Sequence, residues 1–209
     1  MPTPVMTAAR LMWLFAVSRR VPFAVAAIAA FAIGLRIALL GHWDAYGALQ
    51  LPLIVETAAA TSVAATVGSP FGEPERVGGR WLPFLRLTAT VALTALAVGA
   101  LALAAGTGAQ LAGGTLEVLR NVAGITGIGL LCAAALGGGL SWTGPTGYLV
   151  ASVYALYTQW HGSALTTPLL WPARPADDLG GALCAALVFT AGLTATTVRG
   201  ARDRPSDPD

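Results

Sequence analysis

The residues able to do chemistry are few, and their spacing limits what they can do. His42 and His161 stand apart, with no Cys or His at metal-ligand spacing, and read as polar residues near helix ends. The run Gly139-Leu140-Ser141-Trp142-Thr143 has Thr where the second Gly of a nucleophile elbow belongs. A Walker-type phosphate loop needs a lysine, and the chain contains none. Gly106-Thr107-Gly108 has Leu111 where the third glycine of a dinucleotide fingerprint would stand. No catalytic residue and no metal ligand is therefore assigned, and ATP hydrolysis by this chain alone is not expected.

The ionisable residues inside apolar runs are more telling, because a charge in hydrocarbon is costly and tends to face a bundle interior, a partner or water. Glu56, with Thr57, Thr61 and Ser62 nearby, reads either as lining a polar cavity with a part in proton coupling, or as the structural partner of Arg36 on the preceding helix. Glu117 and Arg120, three residues apart, share a helix face and read as a local ion pair or a substrate contact. Gly129, Ala133 and Gly137 recur every four residues, a small-residue stripe that lets another helix, of this chain or of a second copy, approach closely. Cys132 and Cys184 both fall in apolar runs and indicate no disulfide framework.

The elements that must position these residues are membrane helices. Of 209 residues, 56% are hydrophobic and 11% charged, too apolar a balance for a domain that covers itself with polar groups. Apolar windows long enough for a spanning helix run over Val21 to Leu40, Leu49 to Gly68, Leu87 to Gly106, Val122 to Leu140, Tyr148 to Gln159 with some extension, and Leu179 to Val198. Backbone groups in lipid must be satisfied within the segment, so the expected fold is an all-α integral membrane protein with six transmembrane helices. Val21 to Leu40 is longer than the apolar core of a secretory signal and is expected to be retained.

Arginine asymmetry orients the chain. With the N-terminus inside, the inner side receives Arg10, Arg19, Arg20, Arg76, Arg80, Arg86, Arg199, Arg202 and Arg204, and only Arg36, Arg120 and Arg174 remain outside. Both termini are expected to be cytoplasmic. Trp43, Tyr46, Trp142, Trp160 and Trp171 lie near window ends and read as interfacial anchors. Residues 1–20 carry apolar residues between arginines, are too short to cross, and read as an interfacial amphipathic helix on the inner leaflet. The six-helix domain then spans residues 21–198, and residues 199–209 form a polar tail expected to be disordered. The arginines form no patch, which argues against nucleic-acid binding. The Ala-, Gly- and Arg-rich composition favours a bacterial cytoplasmic (inner) membrane.

In order, then, come an interfacial helix, six spans, a charged inner loop after the second span, and a basic tail. The loop, residues 69–86, contains Gly72-Glu73-Pro74-Glu75-Arg76-Val77-Gly78-Gly79-Arg80-Trp81-Leu82-Pro83-Phe84-Leu85-Arg86. This layout resembles the permease subunit of the type-2 ABC exporter family. The resemblance implies that the loop is a coupling element seated on a separate ATPase, with polar contacts from Glu73, Glu75, Arg76 and Arg80. It implies a pathway formed by a homodimer or with a related permease, across an interface of the first, second and fifth helices. ATP and Mg would be bound by the partner ATPase, with no cofactor held by this chain. The segment from His161 to Asp178 similarly resembles the partly re-entrant stretch before the last helix of such permeases. Two other classes compete: a non-transporting membrane scaffold or immunity subunit, which needs only packing surfaces and a docking loop, and an integral membrane lipid-modifying enzyme, which the scarcity of His, Asp and Ser constellations disfavours.

Overall fold

The computed structural model describes residues 13, 14, 16–41, 45–68, 82–106, 114–161 and 167–199. Among them there is no strand. Six long helices follow in order: α1 Val21–Leu39, α2 Ala45–Ala65, α3 Leu82–Gly106, α4 Gly114–Leu136, α5 Thr143–His161 and α6 Leu179–Arg199. Two short 3-10 helices, Gly138–Leu140 and Pro168–Ala173, precede α5 and α6. Four helices, α1, α3, α4 and α6, are long and apolar enough to cross a membrane. In α2 the apolar stretch, Leu49–Ala65, is shorter.

Each of the six apolar windows holds a helix, but the helices begin and end elsewhere. Helix α3 starts at Leu82, because Pro83 falls in its first turn, where a missing N–H costs nothing. The loop read as 69–86 therefore ends by residue 81. Helix α4 starts at Gly114, eight residues ahead of its window, and so takes in Glu117 and Arg120. Helix α5 runs the full Thr143–His161. Of the segment 1–20, residues 13, 14 and 16–18 are helical, with Trp13, Leu14 and Val17 exposed. Glu73, Glu75, Arg76 and Arg80 lie outside the described residues, as do His42, Trp43 and residues 200–209.

Helix α4 is the centre of the bundle. Of its apolar window 61% is buried, against 17% for α1 and 22% for α6. On one face of α4, Val118 and Val122 share a core cluster with Ile28, Leu35, Val63 and Leu101 of α1, α2 and α3. Another face joins α2, α5 and the second 3-10 helix through Ile125, packed with Leu53, Ala60, Leu156 and Ala173. The most extensive helix pair is α4 with α6. A Cβ on Gly127 would lie 2.6 Å from the Phe189 Cα, and one on Gly192 would lie 2.5 Å from the Gly127 oxygen, so the backbones meet directly.

At the stripe read from Gly129, Ala133 and Gly137 a helix does approach closely, and it is one of this chain. A Cβ on Gly129 would lie 2.6 Å from that of Ala64, so the stripe packs on α2 of the same chain, and Gly137 follows the helix at φ 99°. The outward surface is apolar: Phe23, Ile33, Ile37, Leu103, Leu187 and Val198 are each more than 60% exposed. A soluble monomer does not display large apolar side chains over several helices, whereas lipid solvates them at no cost. The fold is that of a multi-pass membrane protein.

Candidate functional site

Glu56 sits near the middle of α2, 3% exposed, within the bundle. Its carboxylate Oε2 accepts a hydrogen bond of 2.9 Å from Asn121 Nδ2, on α4. The pairing expected from sequence, with Arg36, is not the one found. Arg36 lies in the last turn of α1, whereas Glu56 stands eleven residues into α2. At 1.5 Å per residue the two differ in depth by about 12 Å, too far for a salt bridge. Asn121 is the chain's one asparagine, and its place beside an apolar run was the available sequence signal.

The hydroxyls near Glu56 bond within their own helix. Thr57 donates to the Leu53 carbonyl, Thr61 to the Thr57 carbonyl and Ser62 to the Ala58 carbonyl, each one turn back on α2. Such back-bonding satisfies a hydroxyl inside an apolar bundle without a neighbour. Asn121 Oδ1 is buried and has no hydrogen-bond partner among the described residues. The site is thus a carboxyl group with one donor, next to an amide oxygen with an unused acceptor. Chemically it can hold a proton or offer two oxygens to a cation, and it contains no nucleophile–base pair.

Arg120, one residue before Asn121, takes a different direction. Its guanidinium donates to the Pro175 carbonyl at 2.6 Å and the Arg174 carbonyl at 3.0 Å. It fastens the start of α4 to the segment before α6. In that segment Arg174 donates to Asp178 Oδ1 at 2.7 Å, and Asp178 Oδ2 accepts the Gly181 N–H at 2.6 Å, capping α6. The Arg174 guanidinium and then the Gly181 N–H hold the Asp178 carboxyl below the usual aspartate range.

The 3-10 helix Pro168–Ala173 folds back into the bundle. Trp171, expected at the interface, is 2% exposed, with its ring 4.6 Å from that of Tyr148. A Cβ on Gly124 would lie 2.5 Å from the indole, so glycine opens the space that Trp171 fills. Tyr148 Oη donates to the Leu169 carbonyl at 2.8 Å and ties this segment to α5. At the opposite end of the bundle, Arg19 is also buried, and donates to the Val67 carbonyl at 3.1 Å.

Comparison of the chain with protein-family models, curated proteins and solved structures returns no match in any of the three. What the fold and the site define is a class: an all-helical, multi-pass membrane protein with an acid–amide pair between two of its inner helices.

Proposed function

We propose that the chain is the permease subunit of an ATP-driven exporter of the type-2 ABC class, crossing a bacterial cytoplasmic membrane six times with both ends inside. Two permease chains would enclose the pathway, and a separate ATPase carrying ATP and Mg would engage the loop that follows α2 through Glu73, Glu75, Arg76 and Arg80. The observation that carries this reading is the Pro168–Ala173 helix folded into the bundle just before the last long helix, in a chain whose helix order has the layout of such permeases.

Two further features support it. The starts of α1 and α5 and the end of α2 line one cavity, while Arg120 joins the starts of α4 and α6 at the other end. Successive helices therefore alternate in direction, as a chain crossing six times requires. The Arg19 bond to Val67 ties the N-terminal segment to the helix end from which the charged loop departs. A displacement of that loop would then move both together.

The test is purification of the tagged chain in mild detergent, with identification of its partners and an ATPase assay, for the wild type and for Glu75→Ala combined with Arg76→Ala. An ATPase retained by the wild type and lost from the double variant is the expected result. A folded wild type that retains no ATPase overturns the exporter reading and leaves the scaffold reading standing.

A further inference from the structure

The end of the bundle opposite the Arg120 bonds holds a cavity of about 320 Å³. Its walls include Ser18, Arg20, Gly68, Gly138, Ser141 and Trp142. That volume is at the scale of a small-molecule pocket and exceeds what a bare ion needs. None of the described lining residues is acidic. We propose that this cavity binds a phosphate-bearing anion, and that its occupant is the headgroup of a phospholipid of the inner leaflet.

The cation comes from Arg20. Its backbone is left-handed, φ 57° and ψ 24°, the one non-glycine residue with positive φ among those described. Such a conformation costs energy and persists only where the surroundings impose it. Here the Arg19 bond to Val67 holds the turn, so that adjacent arginines part: one is buried as a tether, the other is exposed at the cavity. The Arg20 guanidinium has no hydrogen bond or ion pair among the described residues.

The second observation is Ser141. It is 2% exposed, it lines the cavity, and its hydroxyl has no hydrogen-bond partner among the described residues. A hydroxyl at the cavity wall can donate to a phosphate oxygen. Gly68 and Gly138 close the floor with backbone alone, since a Cβ on Gly138 would lie 2.5 Å from the Gly68 Cα. The N-termini of α1 and α5, which begin just after Arg20 and Trp142, add the partial positive charge of their free N–H groups.

A lipid source is favoured by what flanks the cavity. Val17, Phe23 and Trp142 are 47%, 75% and 51% exposed, an apolar surface beside the cation on which acyl chains can lie. The inference uses the membrane orientation proposed above but not the exporter reading, so loss of one leaves the other intact.

The full-length chain in neutral detergent is titrated with phosphatidylglycerol, with diacylglycerol of the same acyl chains, and with inorganic phosphate, bound lipid being read by native mass spectrometry. Wild type is expected to retain phosphatidylglycerol and not diacylglycerol. Arg20→Asn, which keeps the left-handed turn accessible, should weaken binding about tenfold, and Arg20→Lys should recover part of it. Ser141→Ala should weaken it severalfold, while Arg199→Gln, at the end of α6, should leave it unchanged. Helicity and monodispersity of each variant establish that it is folded. Displacement of the lipid by inorganic phosphate at comparable concentration would keep the anion site but overturn the lipid as its occupant. Equal retention of both lipids, or full binding by folded Arg20→Asn, overturns the site.

Discussion

Glu56 and Asn121 form a pair whose members are not equivalent. The carboxyl group is the costly one to bury, and its single donor is the Asn121 amide. Asn121→Leu removes that donor and leaves a polar group buried without a partner, so it should lower stability by about 2–3 kcal/mol. Glu56→Gln keeps an acceptor for Asn121 and takes away the ionisable group, and should cost under about 1 kcal/mol. Unfolding of both variants and of the double variant Glu56→Leu with Asn121→Leu, in the same detergent, checks this as a cycle. A double variant as unstable as Asn121→Leu alone would show that the asparagine contributes by packing rather than by its bond. The acid was legible in the sequence because an ionisable residue in an apolar run is conspicuous. Its partner was not, because the nearest candidate by chain order, Arg36, is ruled out by depth along the helices, which depends on where each helix begins.

Among the helices, the contact between α4 and α6 depends on side chains that are missing. Gly127 and Gly192 bring two backbones together, and a methyl group at Gly127 would meet main-chain atoms of Val188 and Phe189, which cannot rotate away. Gly127→Val should therefore destabilise the bundle by about 1–3 kcal/mol through overpacking. Gly99→Val, where a Cβ meets nothing within 4 Å, is the control and should fall within about 1 kcal/mol of wild type. Thermal unfolding of the two variants separates them, and equal midpoints would contradict the direct backbone contact. Apolar run length disclosed the helices themselves. It disclosed their boundaries less well, because Pro83 is tolerated in a first turn and the helix that carries Glu117 and Arg120 begins at Gly114, eight residues before the apolar run.

For the whole molecule, the proposed six crossings would put residue 42 and residue 108 outside and residue 206 inside. Cys132 and Cys184 are free thiols, so a background with both replaced by Ser is needed before labelling. In intact cells, an impermeant maleimide should then label His42→Cys and Gly108→Cys, and should label Ser206→Cys only after permeabilisation. Labelling of residue 206 from outside, or of residues 42 and 108 from opposite sides, would contradict six crossings with both ends inside.

By itself, the sequence determined the all-helical membrane class, because run length and the need to satisfy backbone groups in hydrocarbon admit little else. It also located six helices and marked Glu56 as unusual. Only the tertiary structure decided the partners. Asn121 meets Glu56, Trp171 lies inside the bundle, Arg120 and Arg19 bind distant carbonyls, and Gly129 serves the chain's own α2. Each of these joins residues far apart in the chain, and such contacts follow from helix rotation and depth, which an apolar run of nearly uniform composition leaves unspecified.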